Sequence, residues 1–463
     1  MAKTKLRRAP GPRRWSPFGS LPELRRDPLR TLISAREEYG DVVRFRSGIW
    51  NAYFVAHPDG VKRVLQDNAD NYTKGFVFDY LKTVLGRGLL TDEGDSWREQ
   101  RRLVQPAFQH QRLGEMTEAI NASIQRLLAG WRAGPAVRQI DLAQEMTALA
   151  LDVVTNAVIG SPFASDNSAV GQAVQVAQEQ INWRIMRLLT WSDRIPTPRN
   201  RRFKQATATL NEAVHALVDQ RRREIAARKD SGSRGPERSD LLTLLLEALD
   251  VESSEHMTEL QLRDEIMTIL LAGHETTANG LIWAWHFVAE NPEVADRLMS
   301  EVDRVLCGRQ PCLADISSLK YARMVFHEAL RLRPPVWALF RCPLSDDVLG
   351  GYRVPAFTTI ILSPYVTHRH PEFWEDPERF DPERFLPERL ARRARYAFFP
   401  FGGGPRMCLG SEFATMEGIM ALASIAQEFE LEPLPAHAVA LEPLITLRPA
   451  GGLPMMLRRR KGI

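Results

Sequence analysis

Apolar residues recur at helical spacing through four long runs, roughly Met116 to Trp131, Asp141 to Ile159, Arg202 to Arg228 and Thr258 to Ala289. Two-residue alternation is confined to the early segments Val42 to Phe45 and Ala52 to Ala56, which predicts short strands there. After Pro334 the pattern changes to short strands and turns, Val348 to Val354 and Thr358 to Leu362, followed by a proline-studded coil from Pro371 to Pro400. Two joints interrupt the helical part. Trp191 to Asn200, with Pro196 and Pro198, predicts a break between helices, and Arg228 to Pro236 predicts an exposed mobile loop. No internal repeat is visible. The pattern predicts a mainly α chain with a small β portion and a basic, proline-rich segment at 1–20, and its length allows two or three ordinary domains.

Composition narrows this only a little. The chain of 463 residues is 44% hydrophobic and 25% charged, an ordinary globular mixture able to bury a large core. A net charge of +4 is too mild to argue for nucleic acid. The four cysteines, Cys307, Cys312, Cys342 and Cys408, contain no C-x-x-C, which speaks against a structural zinc site and a disulfide framework and for a reducing cytoplasm. No stretch reaches about 18 uninterrupted apolar residues, so no stable membrane anchor is expected.

One cysteine stands apart. Phe399-Pro400-Phe401-Gly402-Gly403-Gly404-Pro405-Arg406-Met407-Cys408-Leu409-Gly410 places Cys408 on a glycine-rich loop, with Arg406 before it and a helix-like run, Ser411 to Phe429, behind it. An electropositive site at a helix N-terminus favours the thiolate, which is a strong soft ligand. Glycines allow backbone N–H groups to approach the sulfur and tune its donation. The bland reading of Cys408, a small buried hydrophobe after a loop, keeps a modest share of the weight on this loop alone. The string resembles the cysteine-ligand loop of the cytochrome P450 family, F-x-x-G-x-R-x-C-x-G, matching at Phe401, Gly404, Arg406, Cys408 and Gly410. The resemblance implies a mainly α fold, a single domain over residues 1–463 with about a dozen helices and a small sheet. It also implies heme b with an axial thiolate from Cys408, and Arg406 at a heme propionate.

Ile266 to Gly280 carries a second motif. Ile266, Ile269, Leu270 and Leu271 are helically spaced, and Gly273 in mid-helix costs about 1 kcal/mol relative to alanine. The hydroxyl of Thr276 can bond the Ala272 carbonyl four residues back and bend the helix. Ala272, Gly273, Glu275 and Thr276 match the family's [A/G]-G-x-[D/E]-T, which implies a distorted turn where Glu275 and Thr276 deliver protons to dioxygen. Without the cysteine loop, Glu275 is a solvated helix residue and Thr276 a packing residue. His274 is read as structural.

Glu328 and Arg331 share a helix face at i, i+3 among apolar neighbours. With Arg384 of Pro382-Glu383-Arg384-Phe385 they resemble the family's buried Glu-Arg-Arg triad, although Pro377-Glu378-Arg379-Phe380 offers a duplicate. Trp97-Arg98-Glu99-Gln100-Arg101 matches a W-x-x-x-R helix whose indole and guanidinium reach a propionate, and is as readily an ordinary basic face. Arg341 sits where the family often places a further propionate ligand.

The resemblance implies a substrate pocket lined by Phe76, Phe78, Ile269, Ala272, Gly273, Val336, Trp337 and Leu339, closed by Leu447 and Leu453. That set is apolar and aromatic, suited to a small lipophilic substrate such as a terpenoid, fatty-acid-derived or polyketide skeleton. Each of these residues taken singly is as readily core. Arg98, Arg102, Arg112, Arg392, Arg393 and Arg395 are candidates for a face that docks an acidic electron carrier. The segment from Pro10 to Gly19 is similar to the family's proline-rich hinge without the preceding anchor, as in a soluble bacterial enzyme. The implied reaction is monooxygenation with O2 and electrons from a ferredoxin or flavodoxin served by an NAD(P)H-dependent reductase. The alternatives are a peroxide-driven or isomerising member, or a non-catalytic heme sensor.

Overall fold

A computed structural model describes residues 7–12, 18–47, 50–160, 169–187, 195–231, 240–247, 257–435 and 438–460. The chain divides into two compact units, each assembled from separate stretches: Met1–Phe78, His327–Cys408 and Leu441–Arg448 in the first, and Asp79–Phe326, Leu409–Ala440 and Pro449–Ile463 in the second.

The first unit is built on five strands in the order β1-β2-β8-β5-β3. They are β1 (Val42–Ser47), β2 (Trp50–Val55), β3 (Tyr72–Thr73), β5 (Leu339–Pro343) and β8 (Thr359–Leu362). The alternation seen in the sequence sorts side chains to two faces. Val42, Tyr53, Val55, Ile360 and Leu362 enter one apolar cluster. Val43, Phe45, Phe54 and Ile361 enter another. β8 pairs parallel with β2 and antiparallel with β5, so it is central and buried at every position, which is why it reads Thr-Ile-Ile-Leu without alternation. Around the sheet lie α1 (Leu21–Arg26), α2 (Pro28–Tyr39), α3 (Pro58–Lys62), α14 (Pro364–Thr367) and α15 (Pro387–Leu390). Two small ribbons complete it, β6 (Asp347–Leu349) with β7 (Tyr352–Val354), and β10 (Leu441–Pro443) with β11 (Leu447–Pro449). The proline-rich segment is tied to β1: Arg44 N donates to Pro10 O at 2.7 Å. A Cβ on Gly11 would stand 2.0 Å from Arg44 O, so only glycine allows this approach.

The second unit is helical. It holds α4 (Val77–Leu85), α5 (Gly94–Val104), α6 (His110–Ala133), α7 (Leu142–Val153), α8 (Ala169–Arg187), α9 (Pro198–Ser231), α10 (Leu241–Glu247), α11 (Glu259–Glu290), α12 (Pro292–Leu306) and α16 (Ser411–Glu428). α13 (Lys320–Leu332) starts here, and its residues from His327 belong to the first unit. A three-stranded antiparallel sheet, β4 (Val137–Asp141), β12 (Pro454–Arg459) and β9 (Phe429–Pro433), edges the unit. Of the predicted break at 191–200, residues 191–194 lie outside the described residues, 195–197 are non-helical and α9 opens at Pro198. Of the predicted loop at 228–236, residues 228–231 are instead the last turn of α9 and the rest lies outside the described residues. The stretch Leu142–Ile159 is long and apolar enough to cross a membrane by composition, but 61% of it is buried inside the protein, as expected of a core helix.

α11 is the axis of this unit. Thr258 caps it in a reciprocal box: Gln261 N donates to Thr258 Oγ1 at 3.2 Å, and Thr258 N donates to Gln261 Oε1 at 2.8 Å. From Leu281 to Val288 every residue is buried, so the helix is enclosed on all sides. The distorted turn expected at Gly273–Thr277 is not found, since the α-helical pattern is unbroken from Glu259 to Glu290. Thr276 and Thr277 do donate to the carbonyls of Ala272 (2.8 Å) and Gly273 (3.0 Å). A carbonyl has two lone pairs, so it accepts the hydroxyl alongside its helical partner without opening the turn.

Candidate active site

The predicted residues fall into both units, and each half has its own logic. In the first unit the cysteine loop is a series of tight turns. Gly402 N donates to Phe399 O and Cys408 N donates to Phe401 O, both at 3.0 Å. Gly404 has φ +64°, and a Cβ there would stand 1.7 Å from Leu65 O. No other residue fits. Cys408 is exposed at the end of this loop, and none of the four cysteines is in a disulfide. Arg406 is half-buried in the turn Gly404–Arg406. Arg341, on β5, is buried, and its guanidinium donates to Phe340 O at 2.8 Å.

Before the loop in sequence lies the buried ion-pair cluster, in which Arg331 is saturated. Arg331 Nε donates to Glu328 Oε2 (2.6 Å), and Nη2 donates to Glu328 Oε1 (2.7 Å) and Arg379 O (3.0 Å). Its Nη1 donates to His368 O (3.0 Å) and Pro377 O (2.7 Å). All five guanidinium N–H groups are thus used. Glu328 also accepts from Asp381 N at 2.9 Å and has Arg384 Nε at 3.4 Å. Of the two duplicate strings, the second supplies the charge and the first supplies carbonyls, Pro377 and Arg379. Burial pushes the Glu328 carboxyl up, while the Arg331 fork pulls it down.

Two expectations need correcting in this unit. Leu447 is fully buried in the apolar cluster with Phe54 and Ile361, so it is core rather than a pocket wall. Arg393 is half-buried, lies 3.9 Å from the centroid of Trp374, and donates to Arg384 O at 2.9 Å. Burial pushes its guanidinium down to about 10. It braces the coil and is unsuited to docking. Phe76, Phe78, Val336, Trp337 and Leu339 are all half-buried, with the indole N–H of Trp337 donating to Leu444 O at 2.8 Å.

In the second unit, Trp97 is buried on α5 with Arg101 over its ring at 5.6 Å. Arg98 and Arg112 are engaged by Asp95 (2.5 Å) and Glu115 (3.3 Å). Leu453 is 2% exposed and is core. The informative region is α11. Between Asp264 and Val288 only Ile269, Ala272, Gly273, Glu275 and Thr276 are not buried. Ile269, Ala272, Gly273 and Thr276 are spaced i, i+3, i+4, i+7 and share one face; Glu275 borders it. His274 is buried, its Nδ1 2.6 Å from Leu270 O. Gln178 of α8, which the sequence reading missed, bridges the pair: its Nε2 lies 3.1 Å from His274 Nε2 and donates to Glu275 Oε2 at 3.1 Å. No local pattern marks Gln178, because its partners lie about a hundred residues away on another helix.

The donor set fits an iron porphyrin. Among the described residues no group of three or more His, Cys, Asp or Glu could hold a bare metal ion. The accessible thiol of Cys408 suits a metal that brings its own equatorial ligands, and in the same unit the guanidiniums of Arg341 and Arg406 suit its carboxylates.

Comparison with known proteins agrees. The cytochrome P450 family model matches residues 9–450. The chain is 36% identical to cyclooctatin synthase of Streptomyces melanosporofaciens, over 93% of this chain and 91% of that protein. It is 35% identical to cyclooctat-9-en-7-ol 5-monooxygenase of the same organism, over 90% and 88%. It is 34% identical to pentalenene oxygenase of Streptomyces avermitilis, over 92% and 90%. The crystal structure of the cytochrome P450DA heme domain superposes with a TM-score of 0.88 at 25% identity, covering 98% of each chain. The chain therefore belongs to the cytochrome P450 family and is a heme-dependent monooxygenase.

Proposed function

We propose that the chain hydroxylates or epoxidises a terpenoid, with Cys408 as the axial thiolate of heme b and Glu275 and Thr276 managing protons. The observation that carries this reading is the open face on α11. An otherwise enclosed helix leaves Ile269, Ala272, Gly273 and Thr276 accessible on one side, three apolar positions for a hydrocarbon and one hydroxyl for the chemistry. Relatives named for cyclooctat-9-en-7-ol and pentalenene support a terpenoid over the other lipophilic classes.

Heme, when bound, supplies the activation of dioxygen. The chain supplies the rest. Trp97, Arg101, Arg341 and Arg406 offer N–H donors for the propionates. Thr276 Oγ1 spends its proton on Ala272 O at rest and keeps its lone pairs for an incoming donor, so a rotation of the hydroxyl turns it from acceptor to donor. Glu275 borders the same face and can resupply the proton it gives up. Electrons come from a ferredoxin or flavodoxin with its NAD(P)H-dependent reductase, in the cytoplasm.

The test is Thr276→Ala, assayed with a surrogate ferredoxin system for product formed against NAD(P)H consumed. Heme content and substrate binding should be unchanged, and coupling should fall about tenfold with hydrogen peroxide rising in its place. Thr277 is buried, so Thr277→Ala should matter less. Unchanged coupling in Thr276→Ala would defeat the assignment, and a larger loss in Thr277→Ala would move it by one residue.

A further inference from the structure

His368 has no place in any of the roles above, yet it is fully buried and hydrogen-bonded at both ring nitrogens. Phe399 N donates to its Nε2 at 2.9 Å, and its Nδ1 lies 3.3 Å from Arg331 O. A backbone N–H can only donate, so Nε2 is the acceptor and the proton sits on Nδ1, directed at the Arg331 carbonyl. Arg331 returns the contact, its Nη1 donating to His368 O at 3.0 Å. The residue is therefore held at both its ring and its backbone by one arginine, which itself grips both carboxylate oxygens of Glu328.

The other end of the imidazole leads to the cysteine. Phe399 is the first residue of the glycine-rich loop, and its carbonyl accepts from Gly402 N at 3.0 Å. Two residues on, Phe401 O accepts from Cys408 N at 3.0 Å. Hydrogen bonds, joined by short stretches of backbone, thus lead from the buried ion pair to the cysteine backbone, and the imidazole is the link between Arg331 and Phe399. The ring is wedged by Phe398 and Phe399, with centroids 5.1 and 5.3 Å away, so it cannot swing out. Burial and the nearby Arg331 charge push its pKa well below the ordinary imidazole range, which keeps Nε2 available as an acceptor.

We propose that His368 is a positioning residue for the cysteine loop, transmitting the rigid geometry of the Glu328–Arg331 pair to Phe399 and hence to Cys408. This rests on Cys408 being the axial ligand. It makes the ion pair more than a stabiliser of the coil, since the pair sets where the ligand loop begins.

The two bonds can be separated by substitution. Glutamine offers an acceptor near the position of Nε2, asparagine a donor near that of Nδ1, and phenylalanine keeps the ring with neither. The heme-loaded His368→Gln, His368→Asn and His368→Phe proteins would be compared in two ways. One is the share of the reduced carbon monoxide complex that retains the red-shifted thiolate band over time. The other is hydrogen–deuterium exchange of peptides covering 399–408. In His368→Asn and His368→Phe, loop exchange should speed up about tenfold and the thiolate band should decay correspondingly faster, while His368→Gln should stay within about threefold of the parent. Should His368→Phe not fold, the contrast between glutamine and asparagine decides. Equal behaviour of those two, or a parent-like His368→Phe, overturns the proposal. A Cys408→His protein that keeps the parent's band would instead overturn Cys408 as ligand, and the exchange contrast would still decide the role of His368.

Discussion

The ion-pair cluster around Arg331 and the mid-section of α11 are both buried and polar, and they are built on opposite plans. Around Arg331 every donor has an acceptor: five N–H groups meet two carboxylate oxygens and three carbonyls. Such a network has one low-energy arrangement and makes its coil rigid. On α11 the enclosing residues are equally tight, but the face of Ile269, Ala272, Gly273 and Thr276 is left accessible, and the Thr276 hydroxyl rests on a carbonyl that does not need it. The first plan suits a part that must never move. The second suits one that must exchange partners during a reaction.

The contrast should be visible in what each substitution damages. The largest effect is expected at the saturated cluster: Arg331→Ala or Glu328→Ala strands a fully buried charge, at a cost of about 3–5 kcal/mol. Little folded, heme-loaded protein should be recovered. Thermal unfolding and heme content like the parent's in both would refute the rigid half of the comparison. Arg331→Lys tests it more finely, because an ammonium has three donors in place of five and cannot form the bidentate fork. At α11 the same measurements should barely change in Thr276→Ala while coupling collapses.

A smaller effect is expected at Gln178→Leu, which removes the donor to Glu275 Oε2 and the neighbour of His274 Nε2. Glu275 would lose its orientation, and coupling should drop about two- to fivefold with heme content intact. Coupling equal to the parent's would show that Gln178 does not orient the acid. The smallest effect concerns neither region. Phe357 is 78% exposed at φ +59°, a backbone conformation that costs a side-chain-bearing residue about 1 kcal/mol. Phe357→Gly should therefore raise stability by up to about 1 kcal/mol, read by chemical denaturation, without touching activity.

Much of this was legible in the sequence because it is written locally. The period of α11, the alternation of β1 and β2 and the spacing of Phe401, Gly404, Arg406, Cys408 and Gly410 all lie within single elements. Even the duplicate Pro-Glu-Arg-Phe strings could be ranked, although their shared use, charge from one and carbonyls from the other, could not. What the sequence hid is whatever depends on a partner from elsewhere. Gln178 is one polar residue of α8 until α11 lies beside it, and His368 looks like part of a polar turn. Arg393 looked like surface charge because its neighbours Arg392 and Arg395 are exposed, whereas Trp374 holds it against the coil. Leu447 reads from the sequence as a loop residue closing a pocket, whereas its burial with Phe54 comes from strands formed far upstream.

The parallel pairing of β2 with β8 bears on how the chain is made. β1 and β2 close early as a hairpin, yet the strand that covers the outer edge of β2 comes about 300 residues later, a long-range closure that is intrinsically slow. At ordinary synthesis rates the ribosome needs about 15–60 s to reach it. During that time Ala52 to Val55 present an apolar, unpaired edge, the kind of surface that invites strands from other chains. The segment tied across β1 by Pro10 and Gly11 is already synthesised, so the far side of the hairpin can be covered from the start. Slowing translation between these strands should therefore lower the soluble yield more than an equal pause placed after Leu362.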